Sequence, residues 1–126
     1  MDARSHTVLV VDDDAAIRFL CRVNLELDGW AVLEAASVTL ARDTLAADPV
    51  DIVVLDVHVG VDSGLDFMAE IRQRHPGVPV VLLTGSVGSP GLDGVDADAV
   101  ISKPFTLDQL TGTVGRLVVR GGSEAR

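Results

Sequence analysis

Asp12, Asp13 and Asp14 stand in a row directly after an apolar run, and Asp56 closes a second such run, Ile52 to Leu55. Thr84, with Ser86 two residues on, ends a third, and Lys103 follows a fourth. Carboxylates brought close together repel one another, so they are costly unless a hard cation with oxygen ligands neutralises them. Mg²⁺ suits that role, because it typically takes one or two protein carboxylates, keeps waters, and fills its remaining positions with phosphate oxygens. An aspartate can then act as nucleophile and form an acyl phosphate, with neighbouring groups neutralising charge on the equatorial oxygens. Asp56 is the best-placed nucleophile; Lys103 would pair with one phosphoryl oxygen and Thr84 would hydrogen-bond another.

Such a site requires those four positions to meet. Apolar runs of strand length alternate with helical patterns along the chain, the signature of an α/β fold with a parallel sheet. Strands are expected at His6 to Val11, Trp30 to Ala35, Asp51 to Asp56, Val78 to Thr84 and Ala99 to Ser102. The first, His6 to Val11, is a dense β-branched run that lacks polar alternation, as a central strand covered on both faces does. Helical spacing places Ile17, Leu20, Cys21 and Leu27 on the first helix, closed near Gly29. The second carries Val38, Ala41 and Leu45 behind an N-cap at Ser37 and stops at Pro49; the third carries Leu65, Met68 and Ile71 and closes at Pro76. The last helix turns Leu107, Leu110, Val114, Leu117 and Val118 inward. Between Thr84 and Ala99 the segment is so rich in glycine that the fourth helix should be short or irregular. The expected architecture is a doubly wound, five-stranded parallel sheet, flavodoxin-like in strand order 2-1-3-4-5. In it, side chains at the carboxyl ends of the strands share one crevice.

Several residues carry a second reading. Asp14 suits a helix N-cap as well as a ligand. Pro104 fixes the backbone after Lys103, and a cis bond there would tighten the turn. Gly64 is either a plain loop glycine or a loop-to-helix residue that needs unusual φ or close packing. His58 and His75 lack a spaced metal partner and read as surface residues. Asp93, Asp96 and Asp98 fit a solvated loop better than a calcium loop. Cys21, the single cysteine, reads as a small core residue.

Composition narrows the class. The 126 residues are 48% hydrophobic, which suits one globular domain over residues 1–120, with a flexible tail over 121–126 that has no apolar anchor. A net charge of −9 and few aromatics argue against nucleic-acid binding. No apolar run is long enough for a spanning helix or a signal peptide, so a cytoplasmic protein without membrane contact is expected.

The segments VLVVDDD, IVVLDV, VVLLTG and ISKPF, in this order and spacing, resemble the receiver domain of two-component response regulators over nearly the whole chain. The resemblance implies that Asp56 is the phosphorylation site and that Asp13 and Asp56 bind Mg²⁺ directly, with Asp12 helping through water and the backbone carbonyl of His58 completing the ligands. It implies a histidine kinase or histidine phosphotransfer protein as donor. The domain would catalyse only its own phosphorylation and dephosphorylation and so is not an enzyme in the ordinary sense. A chain ending after its last helix would act alone, through a downstream protein target or a phosphorylation-dependent dimer. The sequence departs from the family at Val100, where a switch aromatic is usual, and at Gly60, where proline is common and where glycine should loosen the loop.

Two other readings compete. A haloacid-dehalogenase-type hydrolase would use Asp12, Asp14, Thr84 and Lys103, but it leaves Asp56 unexplained and the chain lacks room for a cap domain. A pseudo-receiver, a binding module independent of phosphate, would account for Val100 but leaves the acidic cluster without purpose.

Overall fold

The computed structural model describes residues 6–85 and 97–124. In chain order the elements are β1 (Thr7–Val11), α1 (Ala15–Leu27), β2 (Ala31–Ala35), α2 (Val38–Ala47), β3 (Ile52–Asp56), β4 (His58–Val59), β5 (Asp62–Ser63), α3 (Gly64–Arg74), β6 (Val80–Thr84), β7 (Ala99–Ser102) and α4 (Leu107–Glu124). The five longer strands pair in parallel in the order β2-β1-β3-β6-β7. Numbered among themselves, they run 2-1-3-4-5.

Both faces of the sheet are covered, which is why its strands show no polar alternation. Val8, Val10, Ile52, Val54, Val81 and Leu83 face Cys21 and Leu25 of α1 and Leu110, Val114 and Val118 of α4. Leu9, Val11, Val53, Leu55 and Leu82 face Val38, Ala41 and Leu45 of α2 and Phe67, Met68 and Ile71 of α3. Helix ends follow local chemistry. The Ser37 hydroxyl accepts the Leu40 N–H at 3.1 Å, Ser63 does the same for Asp66 at 3.2 Å, and Gly29 leaves α1 with φ +97°.

Three expectations need correction. Leu20 and Leu27 are exposed, Leu27 at 81%, because the buried stripe of α1 runs through Cys21 and Leu25, four apart, and leaves both to its sides. Leu107, at the start of α4, is also largely outside the core. The segment after Asp56 is not a plain loop but a small antiparallel hairpin of β4 and β5. Gly60 takes φ +62° at its turn, a conformation open to glycine at little cost. The helix α4 runs to Glu124, four residues into the segment read as a tail, since each added helical residue forms a further hydrogen bond even where glycine weakens it. The short fourth helix, Ser86, Asp93 and Asp96 fall outside the described residues. Asp98 is structural: its carboxylate accepts the Val80 N–H at 2.8 Å and pairs with Arg72 at 2.9 Å.

Candidate functional site

Parallel pairing brings the strand ends to one edge. Val11 lies beside Leu55, Asp56 beside Leu83, and Thr84 beside Ser102. The ladders continue one residue further, with the Val57 N–H on Leu83 O at 3.0 Å and the Lys103 N–H on Thr84 O at 2.7 Å. Lys103 is thereby anchored at the end of β7 before the cis peptide bond to Pro104. Asp12, Asp56, Thr84 and Lys103, read from sequence as strand-end residues, therefore share one crevice.

Within it, carboxylate oxygens of Asp12, Asp13 and Asp56 all lie within 4.8 Å of one another. Asp12 is fully buried, Asp56 partly so, and Asp13 exposed. The Lys103 ammonium bridges two of them, 3.3 Å from Asp12 Oδ2 and 3.2 Å from Asp56 Oδ2. The other oxygens have main-chain donors: the Asp14 N–H reaches Asp12 Oδ1 at 2.9 Å and the His58 N–H reaches Asp56 Oδ1 at 3.3 Å. Burial pushes the Asp12 carboxyl above the usual carboxylate range and the charge of Asp56 adds to that, while the Asp14 amide and Lys103 pull the other way. Burial also works against the Lys103 ammonium, but the attraction and hydrogen bonds of Asp12 and Asp56 outweigh it, leaving its pKa raised.

Asp14 takes the capping role: its side chain accepts the N–H groups of Ala16 and Ile17 at the start of α1, at 2.9 and 3.4 Å. Thr84 is buried at the end of β6. The His58 side chain is exposed, and Val100 on β7 is 48% exposed. Gly64 is resolved in favour of close packing: a Cβ there would run into the carbonyl oxygens of Asp56 and Val57, and its N–H donates to Val57 O at 2.6 Å. Sequence reasoning missed Arg18, whose Nη1 donates to the Asp12 carbonyl at 2.7 Å while Nε pairs with Glu34 at 3.1 Å. Nothing in the local pattern marks it, because its partners lie just past the end of β1 and on β2.

The arrangement can hold a small hard cation between oxygen ligands and present one carboxylate, Asp56, beside a cation. The family model of the response regulator receiver domain matches residues 8–115. The response regulator MprA of Mycolicibacterium vanbaalenii is 36% identical over 117 residues, which is 90% of this chain and 50% of that protein. The chain thus spans half the length of that relative. Among solved structures, a CheY-like receiver domain protein from Methanospirillum hungatei superposes with a TM-score of 0.88 at 23% identity, covering 94% of this chain and 98% of that one. The Thermotoga maritima response regulator TrrA, solved with Mg²⁺ and BeF, superposes with a TM-score of 0.81 at 30% identity, covering 89% and 98%.

Proposed function

The chain belongs to the receiver-domain family of two-component response regulators, and from that premise we propose that Asp56 accepts a phosphoryl group beside a Mg²⁺ ion. The observation that carries the reading is the meeting of three carboxylates within 4.8 Å, two of them bridged by Lys103. The donor set consists of oxygens alone, as Mg²⁺ prefers. Asp12, Asp13 and Asp56 would hold the ion, with the His58 carbonyl as a further ligand on the strength of the family resemblance; that TrrA was solved with Mg²⁺ and BeF supports a Mg²⁺ site in this fold. When bound, the metal neutralises the clustered carboxylates and the oxygens of the incoming phosphoryl group.

The remaining chemistry belongs to the chain's own residues. An Asp56 oxygen attacks phosphorus in line; the O–P bond forms as the P–N bond to the donor imidazole breaks, and that nitrogen keeps the electron pair. The Lys103 ammonium, already 3.2 Å from Asp56, is in place to meet a phosphoryl oxygen, and the Thr84 hydroxyl would meet another. The donor is a histidine kinase or histidine phosphotransfer protein. Output runs through contacts with a protein target, in the cytoplasm; among the described residues no helix is long and apolar enough to cross a membrane. Asp14 weighs against the hydrolase reading, because its side chain is occupied in capping α1.

Incubation with a small-molecule acyl phosphate and Mg²⁺, followed by intact mass, tests the proposal. A gain of one phosphoryl group, lost in Asp56→Asn and with chelator, is expected. A folded protein that binds Mg²⁺ without gaining mass would point instead to a phosphate-independent binding module.

A further inference from the structure

Asp12 is buried at the end of β1 with each of its polar atoms engaged. Its N–H donates to Ala35 O at 3.1 Å, Oδ1 accepts from Asp14, Oδ2 meets Lys103, and its carbonyl accepts from Arg18 Nη1 at 2.7 Å. The last contact has no part in the phosphoryl chemistry. Arg18 stands on the first turn of α1, where its own N–H donates to Asp14 O at 3.1 Å. Its side chain is largely buried, and Nε is fixed by Glu34 Oε1 on β2. The second oxygen of Glu34 is taken by Arg22 at 3.0 Å. One planar fork thus ties α1, the β2 edge and the end of β1 together.

The peptide group joining Asp12 to Asp13 is planar, so fixing the Asp12 carbonyl also fixes the direction in which the chain leaves for Asp13. Asp13 is the exposed member of the acidic cluster. We propose that Arg18, held by Glu34, is a positioning residue for the metal site, setting the plane of the Asp12–Asp13 peptide and through it the aim of the Asp13 carboxylate. The inference rests on the reading of the cluster as a Mg²⁺ site.

Charge and positioning predict opposite signs here, which makes the idea testable. A guanidinium near the site repels a cation, so if only its charge mattered, Arg18→Gln would bind Mg²⁺ more tightly and Arg18→Lys would match the wild type. A lysine ammonium is a point charge on a flexible stem and cannot reach Glu34 and the carbonyl together in one rigid fork. If Arg18 positions, both variants bind Mg²⁺ about tenfold more weakly, the scale on which partners of metal ligands act. Glu34→Gln shifts affinity the same way. Calorimetric titration of the folded full chain with Mg²⁺ reads the affinity. Phosphorylation rate against Mg²⁺ concentration gives a second readout: the midpoint moves while the plateau at saturating metal stays near that of the wild type. Wild-type affinity in Arg18→Lys, tighter binding in Arg18→Gln, or a lowered plateau with an unmoved midpoint would overturn the inference and leave the Mg²⁺ reading standing. A wild-type protein that binds no Mg²⁺ would overturn both.

Discussion

Replacing Gly64 with alanine should destabilise the protein, although the same exchange within a helix is ordinarily favourable by about 1 kcal/mol. Gly64 is the first residue of α3, and a Cβ on it would be driven into the carbonyl oxygens of Asp56 and Val57. Neither oxygen can yield easily. Asp56 is paired into the sheet beside Leu83, and the Val57 carbonyl accepts the Gly64 N–H itself. Relief requires α3 to move off β3, giving up that hydrogen bond at about 1 kcal/mol and loosening Phe67 and Met68 in the core for about 1–3 kcal/mol. Set against the advantage of alanine, the net loss is about 2 kcal/mol. Gly112 on α4 is the control: beyond its own turn of helix no atom lies within 4 Å of its added Cβ, so Gly112→Ala should gain about 0.5–1 kcal/mol. Urea unfolding followed by circular dichroism measures both variants. Only Gly64→Ala should also slow phosphorylation, because the displaced backbone carries Asp56, the proposed phosphoacceptor. A neutral or stabilised Gly64→Ala would refute the packing argument.

Asp13→Asn relieves repulsion in the acidic cluster, so the metal-free protein should gain about 1 kcal/mol while losing the rise in melting temperature that Mg²⁺ is expected to give the wild type; thermal scans with metal and with chelator decide, and a variant that still responds to Mg²⁺ counts against the site. Lys103→Met leaves fully buried Asp12 beside Asp56 with no bridging cation. Without metal it should cost about 1–3 kcal/mol, less than a wholly buried pair because the lysine is partly solvated, and Mg²⁺ should recover part of the loss; equal stability with and without metal would contradict this. Burial, then the charge of Asp12, push the Cys21 thiol from 9.0 up to about 11. The folded state keeps its proton where the unfolded chain has lost it, so this contribution to stability is complete below about pH 9 and declines as pH rises through about 11. Cys21→Ala should flatten that decline in urea titrations across the window, and the native wild-type thiol should resist disulfide reagents near neutral pH.

The strands were legible because each is a dense apolar run bounded by turn residues, and a strand covered on both faces leaves that mark in composition alone. For the same reason Asp12, Asp56, Thr84 and Lys103 could be placed as strand ends before any geometry was known. The hairpin of β4 and β5 was not legible: two strands of two residues each carry no periodicity, and Gly60 was read as loosening a loop when it forms the hairpin's turn. Phase was lost on α1, where apolar residues lie on more of the circumference than the core covers, so Leu20 and Leu27 matched the spacing yet face water. Gly64 was ambiguous because a forbidden Cβ is a tertiary fact. Arg18 was invisible, since its meaning depends on Glu34, sixteen residues away on β2, and on a carbonyl just past the end of β1.

Among the described residues, Lys103 and Arg18 flank the acidic cluster, and they should act on the metal in opposite ways. Lys103 touches carboxylate oxygens of Asp12 and Asp56 directly, oxygens that a divalent ion would claim, so it competes with the metal as well as stabilising the site without it. Removing it should raise Mg²⁺ affinity even as the metal-free fold weakens. Arg18 touches no carboxylate of the cluster; it holds a main-chain carbonyl and Glu34. Its removal makes the site more negative yet should lower the affinity, because the ligands lose their common frame. Net charge cannot account for both results, since each substitution removes one positive charge from the same neighbourhood. The atom each cation touches decides the sign.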